Sequence, residues 1–383
     1  MFSFFKKEKE KTSLLIDIQS GLIRGCLISQ KENSNPVISK LITRDIPRKN
    51  HTNSHYLNKM MLKTFSEIMH MLTETNHVES INIILSSPWI LSHSKTIKID
   101  FTDEKEVTEE MVLKIIDDER NKLEDIYKKS DIDTTENIYS DLQYIEQKVF
   151  DVKLNGYEIS DYIGKKARDI EVSFSMTLSS KIILNRLNKV ISRFIKAKEI
   201  KFSSGLLLNY IALRKIMPDI NNYVYMHVHS ELTDIIVVQK GLCSHFSSFP
   251  IGTANLIRKI SRRMTQNDTV TDSMISLYQG KKLESLEEKK IGRIIGDYSE
   301  EWFSQYKKTL EVADIATNIP RIYFLSTHSH IEIYKDILNT KIGYEIRITD
   351  FAIEKINSAI SYEKTSDKNQ LIEMYAYALD GMI

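Results

Sequence analysis

The sequence predicts an α/β protein built from two similar halves. Near its start, the run from Ser13 to Ile28 holds two β-rich segments separated by Gln19-Ser20-Gly21, which predicts a hairpin with Asp17 beside the turn. Residues Asn222 to Val238 repeat the order of strand, polar turn and strand, again with an acid at the turn. Apolar strands alternate with segments of helical periodicity elsewhere, as in α/β folds. An internal duplication explains the repeated hairpin.

The first half continues with alternating helices and strands. Apolar spacing predicts a helix from Tyr56 to Leu72, and Ser80 to Leu85 predicts a buried strand. A charged region follows, in which Thr108 is a suitable N-cap for a helix that reaches Lys129. Further strands are predicted at Leu142–Leu154 and Ile170–Leu178 with a turn at Asn155-Gly156 between them, and a long amphipathic helix at about Ser179–Ile195.

The second half is richer in helices. A buried strand is predicted from Arg321 to Leu325, running into the polar residues Ser326 to Ser329. Helices are predicted at about Thr253–Arg263, Asp272–Tyr278, Glu284–Leu310 and Gln370–Leu379.

Composition excludes several classes of protein. Glycine accounts for 12 of 383 residues, about 3% against an average of about 7%, and neither GxGxxG nor GxxxxGK[ST] occurs, which excludes Rossmann and P-loop folds. A net charge of +1 gives no reason to expect a nucleic-acid partner. The two cysteines, Cys26 and Cys243, indicate a reducing compartment rather than a disulfide framework. No apolar run is long enough to span a membrane, and no signal peptide is visible.

The first eleven residues combine aromatic and basic side chains. One interpretation is a solvated terminus, and the other is a peripheral membrane foot whose rings enter the bilayer interface while lysines meet anionic headgroups. The residues of this foot would be Phe2, Phe4, Phe5, Lys6 and Lys7.

The order and spacing of these elements resemble the actin-like ATPase superfamily, which has a duplicated, ribonuclease H-like α/β fold. In its first phosphate loop, D-[IV]-G-[ST]-x-x-[IV]-[KR], the run DIQSGLIR keeps Asp17, Ser20 and Arg24 but has Gln19 in place of glycine. The small strand-helix-strand-strand unit inserted after the first strands is similar to that of the FtsA and PilM types, which act in bacterial cell division and type IV pilus assembly.

The other two family loops are more altered. Where the second loop has D-I-G-G-x-T-T-D, this chain has HVHSELTD, so His227 replaces an acid and His229-Ser230 replace two glycines. The adenosine loop L-T-G-G-G-[SA] becomes FLSTHS, with Ser326, Thr327 and His328 in place of glycines. A Cβ at these positions crowds a backbone that should lie against the nucleotide.

The resemblance implies a site for Mg-ATP, and the lost glycines imply that binding is weak or absent and that hydrolysis is lost. An active Mg-ATP-dependent ATPase is the alternative. The residues that the resemblance assigns to the nucleotide site are Asp17, Gln19, Ser20, Gly21, Arg24, Glu231, Thr233, Asp234, Ser326 and Thr327. No catalytic residue is assigned.

Two H-x-H pairs suggest a second alternative for the former cleft. In a strand, residues i and i+2 share a face, so each pair could present two imidazoles to one metal ion, and zinc accepts four nitrogens. The competing interpretation is drift of unselected loops towards small polar residues and histidine. The four residues are His227, His229, His328 and His330.

The expected function is that of an actin-fold cytoplasmic scaffold at the inner face of a bacterial membrane. The resemblance implies protein partners: a division filament protein such as FtsZ, or the cytoplasmic tail of a pilus membrane protein such as PilN, with a homo-oligomer also open. The FtsA type has a membrane-binding tail, whereas this chain ends four residues after its last predicted helix, which favours the PilM type. The expected units are an N-terminal tail at 1–11, a first domain at 12–94 and 179–205, an inserted module at 95–178, and a second domain at 206–383.

Overall fold

The structure is a computed structural model that describes residues 11–31, 34–47, 53–74, 78–129, 141–312, 321–326, 330–342, 359–363 and 368–379. The strands are β1 Lys11–Ile18, β2 Leu22–Gln30, β3 Val37–Asp45, β4 Ser80–Leu85, β5 Ile90–Glu106, β6 Leu142–Leu154, β7 Tyr157–Glu158, β8 Lys166–Ser180, β9 Glu199–Ser204, β10 Tyr223–Val228, β11 Thr233–Gln239, β12 Leu242–Phe249, β13 Ile322–Ser326 and β14 Ser361–Tyr362. The helices are α1 Ser54–Thr73, α2 Glu109–Lys129, α3 Lys181–Phe194, α4 Gly205–Ile216, α5 Thr253–Met264, α6 Asp268–Gln279, α7 Ser285–Val312, α8 Ile331–Ile342 and α9 Gln370–Leu379.

The first sheet has the strand order β14-β3-β2-β1-β4-β9. Strands β1, β2 and β3 form an antiparallel meander, whereas β4 runs parallel to β1 and β9 runs parallel to β4. Side chains alternate across β1, so Leu14 and Ile16 pack on one face with α1 and α3, while Leu15 packs on the other face with α4 and α9. The sheet is therefore covered by helices on both faces, as its apolar strands require.

The second sheet repeats the centre of the first, and its hairpin lies 210 residues after the first hairpin. Its order is β12-β11-β10-β13, with β10 antiparallel to β11 and parallel to β13. Asp17 pairs with Arg24 across the first hairpin, and His227 pairs with Asp234 at the same place in the second. The predicted internal duplication is confirmed.

The inserted module is a third sheet, in the order β5-β8-β6-β7, with α2 beside it. Strand β5 begins at Ile90 and β8 ends at Ser180, so the sheet extends a few residues beyond the predicted bounds of 95–178. The predicted turn is present, since Asn155 and Gly156 both have positive φ, 52° and 82°, as a tight hairpin turn needs. Thr108 accepts the backbone hydrogen of Met111 at the start of α2, as predicted.

The module is not an isolated appendage. Its strand β5 lies against β12 of the second half, where Cys243 Sγ is 3.6 Å from Ser94 Oγ. A shared apolar core joins the two halves, with Leu15 and Ile84 from the first sheet and Tyr225 and Ile236 from the second packed around α4 and α9. The contact between β5 and β12 and the shared apolar core therefore hold the two hairpins close to each other.

Candidate functional site

The first hairpin buries a charged pair at its base. Asp17 is completely buried at the end of β1, and its Oδ2 accepts hydrogen bonds from Gln19 Nε2 at 2.7 Å and from Arg24 at 3.1 Å. Burial raises the pKa of the Asp17 carboxyl, and the positive charges of Arg24 and His229 act in the opposite direction. The acid expected to hold magnesium is thus engaged by two side chains of its own hairpin.

The second hairpin also buries a basic side chain beside an acid, and the base is His229, which follows β10 at the position equivalent to Gln19. His229 Nε2 lies 2.9 Å from Asp234 Oδ2, and both side chains are almost completely buried. The His227 and His229 rings lie on the same side of the hairpin, with centroids 3.8 Å apart. At equivalent strand positions the first hairpin has Asp17 and Arg24 and the second has His227 and Asp234, so the acid lies on the first strand in one half and on the second strand in the other.

The two hairpins touch each other directly. His229 Nδ1 lies 3.4 Å from Gln19 Oε1, which joins equivalent positions of the two repeats. The backbone N–H of Glu231 donates to Ser20 Oγ at 3.2 Å. Because Gln19 Oε1 and Asp234 Oδ2 are both acceptors, this arrangement is fully satisfied when both ring nitrogens of His229 carry hydrogen. Side chains of Gln19 and His229 thus fill the space between the hairpins.

The start of α5 is hydrogen-bonded to the second hairpin. The backbone N–H groups of Thr253 and Ala254 donate to the carbonyl oxygens of His229 and Ser230, at 3.0 and 2.8 Å. Gly252 makes this approach possible, since a Cβ there would lie 2.5 Å from each of these oxygens. A helix N-terminus is a favourable place for a phosphate. Here two of its N–H groups are occupied by protein oxygens.

Three further residues predicted for the nucleotide site have structural partners. Thr233 Oγ1 donates to the carbonyl of Ile251 at 2.7 Å and accepts from Trp302 Nε1 at 3.1 Å. Glu231 forms a two-pronged ion pair with Arg258 of α5, at 2.9 and 2.7 Å. Gly21 accepts a backbone hydrogen bond from Ile46. These contacts fasten the hairpins to their own domains.

Some polar atoms at the cleft have no partner within the part of the chain that the structure describes. They are Asp17 Oδ1, Asp234 Oδ1 and Ser230 Oγ, all buried. Buried oxygens of this kind suit ordered water or a small cation. They are the feature of the cleft that fits magnesium, whereas Gln19 and His229 stand at positions where the family loops have glycine.

Comparison with protein-family models and with curated proteins finds no match for the sequence. Among solved structures, the PilM-PilN type IV pilus biogenesis complex matches with a TM-score of 0.64 and 11% identity, over 96% of this chain and 96% of the other. This chain has the actin-like fold of PilM.

Two other solved structures match this chain with lower TM-scores. A Bacteroides thetaiotaomicron protein with an actin-like ATPase fold has a TM-score of 0.41 and 10% identity, over 99% of this chain and 98% of its own. The cytoplasmic domain of EpsL, from the type II secretion system of Vibrio cholerae, has a TM-score of 0.35 and 8% identity, over 97% and 95%. The fold assignment depends on the PilM comparison.

The third loop of the PilM-like fold is described only in part. Strand β13 ends at Ser326, beside Val228 of β10, so it runs to the same edge of the sheet as the second hairpin. Thr327 and His328 lie outside the described residues, as do Phe2, Phe4, Phe5, Lys6 and Lys7 of the predicted membrane foot. The expectations for these residues remain predictions.

The histidine hypothesis receives no support from the described part of the PilM-like cleft. His330 Nε2 lies 2.8 Å from Asp272 Oδ1, and its Nδ1 lies 3.3 Å from Gln279 Oε1, so α6 engages both ring nitrogens. His229 is engaged by Gln19 and Asp234. Among residues with described positions, no three His, Cys, Asp or Glu side chains form a metal-binding group.

Three residues that contact the second hairpin or the start of α4 were not predicted from the sequence. Arg258 lies 27 residues from Glu231, and a lone arginine on an amphipathic helix gives no signal of such a pair. Gly205 begins α4, where a Cβ would lie 2.8 Å from Ser86 Oγ. Glu146 lies within β6 of the module, and its carboxylate accepts a hydrogen bond from the backbone N–H of Ser204 at the start of α4. An unexplained acid within a strand was the available signal for Glu146.

Proposed function

We propose that this chain is an actin-fold scaffold that docks partner proteins and does not turn over nucleotide. The observation that carries the proposal is the contact between Gln19 and His229 across the cleft. In the family that the sequence resembles, glycines at these positions expose backbone N–H groups to phosphate oxygens. Two buried side chains in their place occupy the volume that the phosphates need.

The hydrogen bonds around the cleft support the loss of catalysis. Phosphoryl transfer depends on metal ions and several donors held in position around the transferred group. Here the Asp17 carboxylate is paired with Arg24, Ser20 Oγ accepts from Glu231, and the first N–H groups of α5 donate to the second hairpin. Binding of ATP would have to break these contacts, so we expect binding that is weak or absent.

The PilM-like fold favours a membrane-protein tail as the partner. The solved PilM structure is a complex with PilN in type IV pilus biogenesis, and we extend that kind of partnership to this chain. Binding of a division filament protein such as FtsZ is the alternative. No helix among the described residues is long and apolar enough to cross a membrane. Docking to a membrane protein would place the chain at the cytoplasmic face of the inner membrane.

The charge of the inserted module supports such a tail. Residues 95–178 contain 21 Asp and Glu against 13 Lys and Arg, although the whole chain has a net charge of +1. Cytoplasmic segments next to membrane-spanning helices are rich in Lys and Arg. An acidic module therefore suits a basic tail, and the exposed Leu113, Tyr157 and Ile163 provide apolar contacts on the same unit.

Two measurements test the proposal. Equilibrium binding and hydrolysis of Mg-ATP should show no turnover. Turnover by the wild type that disappears in Asp17→Asn would establish the ATPase instead. Co-purification from the native host should then recover a pilus membrane protein, and recovery of a division filament protein would reassign the partner.

The contact surface is tested with the cytoplasmic tail of the recovered membrane protein as a labelled peptide. Glu109→Lys/Glu110→Lys reverses two charges in the first turn of α2 and should weaken tail binding about tenfold. Glu287→Lys/Glu288→Lys makes the same change in the first turn of α7 and should leave binding unchanged. Equal effects of the two variants would argue against docking on the module.

A further inference from the structure

A groove runs between α1 and α3 on the outer face of the first sheet. It has a volume of about 640 Å³, and Leu62, Val190 and Phe194 supply its apolar lining. Helices α1 and α3 pack on the face of β1 that carries Leu14 and Ile16, opposite to the face that carries Leu15. The groove is therefore separated from the Asp17 cleft by the thickness of the sheet, and also lies outside the module.

Residues of both helices line the α1/α3 groove, and α3 supplies most of its positive charge. Lys63 and His70 line it from α1, and Arg186, Lys189 and Arg193 line it from α3. Glu67 is the acidic residue among those that line it, and its carboxylate lies 3.9 Å from Lys63.

The basic charge follows from the composition of α3. From Lys181 to Lys198 the chain contains six Lys or Arg and no Asp or Glu, whereas the whole chain has 53 Lys and Arg against 52 Asp and Glu. Lys189 and Arg193 are exposed and form no ion pair with a described carboxylate. Folding alone gives no reason to collect like charges around an apolar groove, because they repel one another.

We propose that the α1/α3 groove docks an acidic amphipathic segment of a partner protein. Apolar side chains of the segment would lie on Leu62 and Phe194, and its carboxylates would meet the basic side chains of α3, as in other complexes where a peptide lies in a groove between helices. The volume accommodates about four or five side chains, within the usual range of about 300–1,000 Å³ for binding sites. This surface is additional to the tail-binding module.

The shape of the groove favours a peptide over a lipid surface. A bilayer presents a broad plane of headgroups, which would meet the exposed ends of Lys189 and Arg193 but would not reach a lining set between two helices. A peptide can pair with the basic side chains and cover the apolar lining together. Steering by these basic side chains would also make association depend on salt.

The test starts from a phage-displayed library of random peptides about 16 residues long, selected on the full chain. The proposal expects enriched peptides with an excess of Asp and Glu and with aromatic or aliphatic residues at helical spacing. A synthetic copy of the best peptide should bind Lys189→Glu/Arg193→Glu at least about tenfold more weakly than wild type. Lys307→Glu/Lys308→Glu, an equal change on exposed residues of α7, should bind within about twofold of wild type.

A neutral pair, Lys189→Gln/Arg193→Gln, repeats the measurement without introducing acids, and thermal unfolding checks that each variant is folded. Enriched peptides without acidic excess, or acidic peptides that bind both groove variants like wild type, would overturn the proposal. Vesicles of phosphatidylglycerol and phosphatidylethanolamine form the lipid arm. Sedimentation with these vesicles that is lost in the groove variants, without selection of acidic peptides, would assign the surface to the membrane.

Discussion

The carboxylate of Glu146 accepts a hydrogen bond from the backbone N–H of Ser204 at 2.5 Å. Glu146 belongs to the inserted module, and Ser204 is the N-cap of α4, whose hydroxyl accepts from Leu207 N–H. Ser92 of β5 also lies 3.0 Å from the Ser204 hydroxyl. The module is thus attached by two polar contacts to the helix that joins the two halves.

Glu146 should make stability fall with rising pH. Burial raises its pKa to about 7, from 4.5 for an ordinary glutamate. Between these values the folded chain keeps a proton that the unfolded chain has lost, so its stabilising contribution is complete below pH 4.5 and disappears as pH rises through about 7. Glu146→Gln should therefore be more stable than wild type at pH 8, by about 1–3 kcal/mol, and match it near pH 4.5. Urea unfolding across this range measures the difference, with the exposed Glu158→Gln as control.

If the slope against pH is the same in wild type and Glu146→Gln, the carboxyl is not the group responsible. A loss of stability in Glu146→Gln at pH 8 would show instead that the charged form is favoured by its contact with Ser204.

The contact between Gln19 and His229 should couple the two hairpins. Gln19→Ala and His229→Ala each remove a buried hydrogen-bonding side chain, and we expect each to cost about 1–3 kcal/mol of unfolding free energy. His229→Ala should cost more, because it also leaves Asp234 without its partner. The double variant should cost less than the sum of the single variants by about 0.5–1 kcal/mol, measured by urea unfolding. Simple additivity would mean that the two side chains do not interact.

Arg24 should be needed to balance the buried charge of Asp17. Arg24→Met keeps most of the side-chain volume but leaves the buried carboxylate without its ion-pair partner, and we expect a loss of about 3–5 kcal/mol of unfolding free energy. Asp17→Asn added to Arg24→Met removes the remaining charge and should recover at least half of this loss. Thermal and urea unfolding provide the comparison, and a double variant as unstable as Arg24→Met would refute the explanation.

Gly252 should tolerate no side chain. A Cβ at this position would lie 2.5 Å from the carbonyl oxygens of His229 and Ser230 and 2.6 Å from Leu232 N, all of which are backbone atoms. Gly252→Ala should therefore destabilise the chain by about 3 kcal/mol or more. Gly296→Ala is the matched control, because Gly296 is exposed within α7 with open space around its Cα. It should stabilise the chain by up to about 1 kcal/mol.

Periodicity predicted much of the fold. Strands β4 and β6 and helix α9 have the predicted bounds, because each is a compact pattern between clear breaks. Strand β5 was not predicted. Its outer half, towards Asp100 and Glu106, is polar on both faces, and pairing with β8 rather than burial makes it a strand. Helix α6 begins at Asp268, four residues earlier than predicted, because Asn267 accepts from Val270 N–H and caps it there.

The sequence predicted which residues belong to the candidate site but not which of them contact each other. Two β-rich runs separated by Gln19-Ser20-Gly21 were enough to locate the first hairpin. The pairing of Glu231 with Arg258 and of Gln19 with His229 depends on how distant segments pack, which one sequence does not encode locally. Arg24, which the resemblance assigns to the nucleotide site, forms an ion pair with Asp17 that the sequence did not predict.

The offset of 210 residues has a consequence for the history of the cleft. In a symmetric dimer, a residue beside the two-fold axis faces its own copy across the interface. Gln19 and His229 are in that relationship within one polypeptide, because they occupy equivalent positions of the two repeats and contact each other across the cleft. The two equivalent positions now hold different side chains, an amide and an imidazole. A substitution at either position changes the contact with the equivalent residue of the other repeat, so each hairpin limits the substitutions that the other can accept.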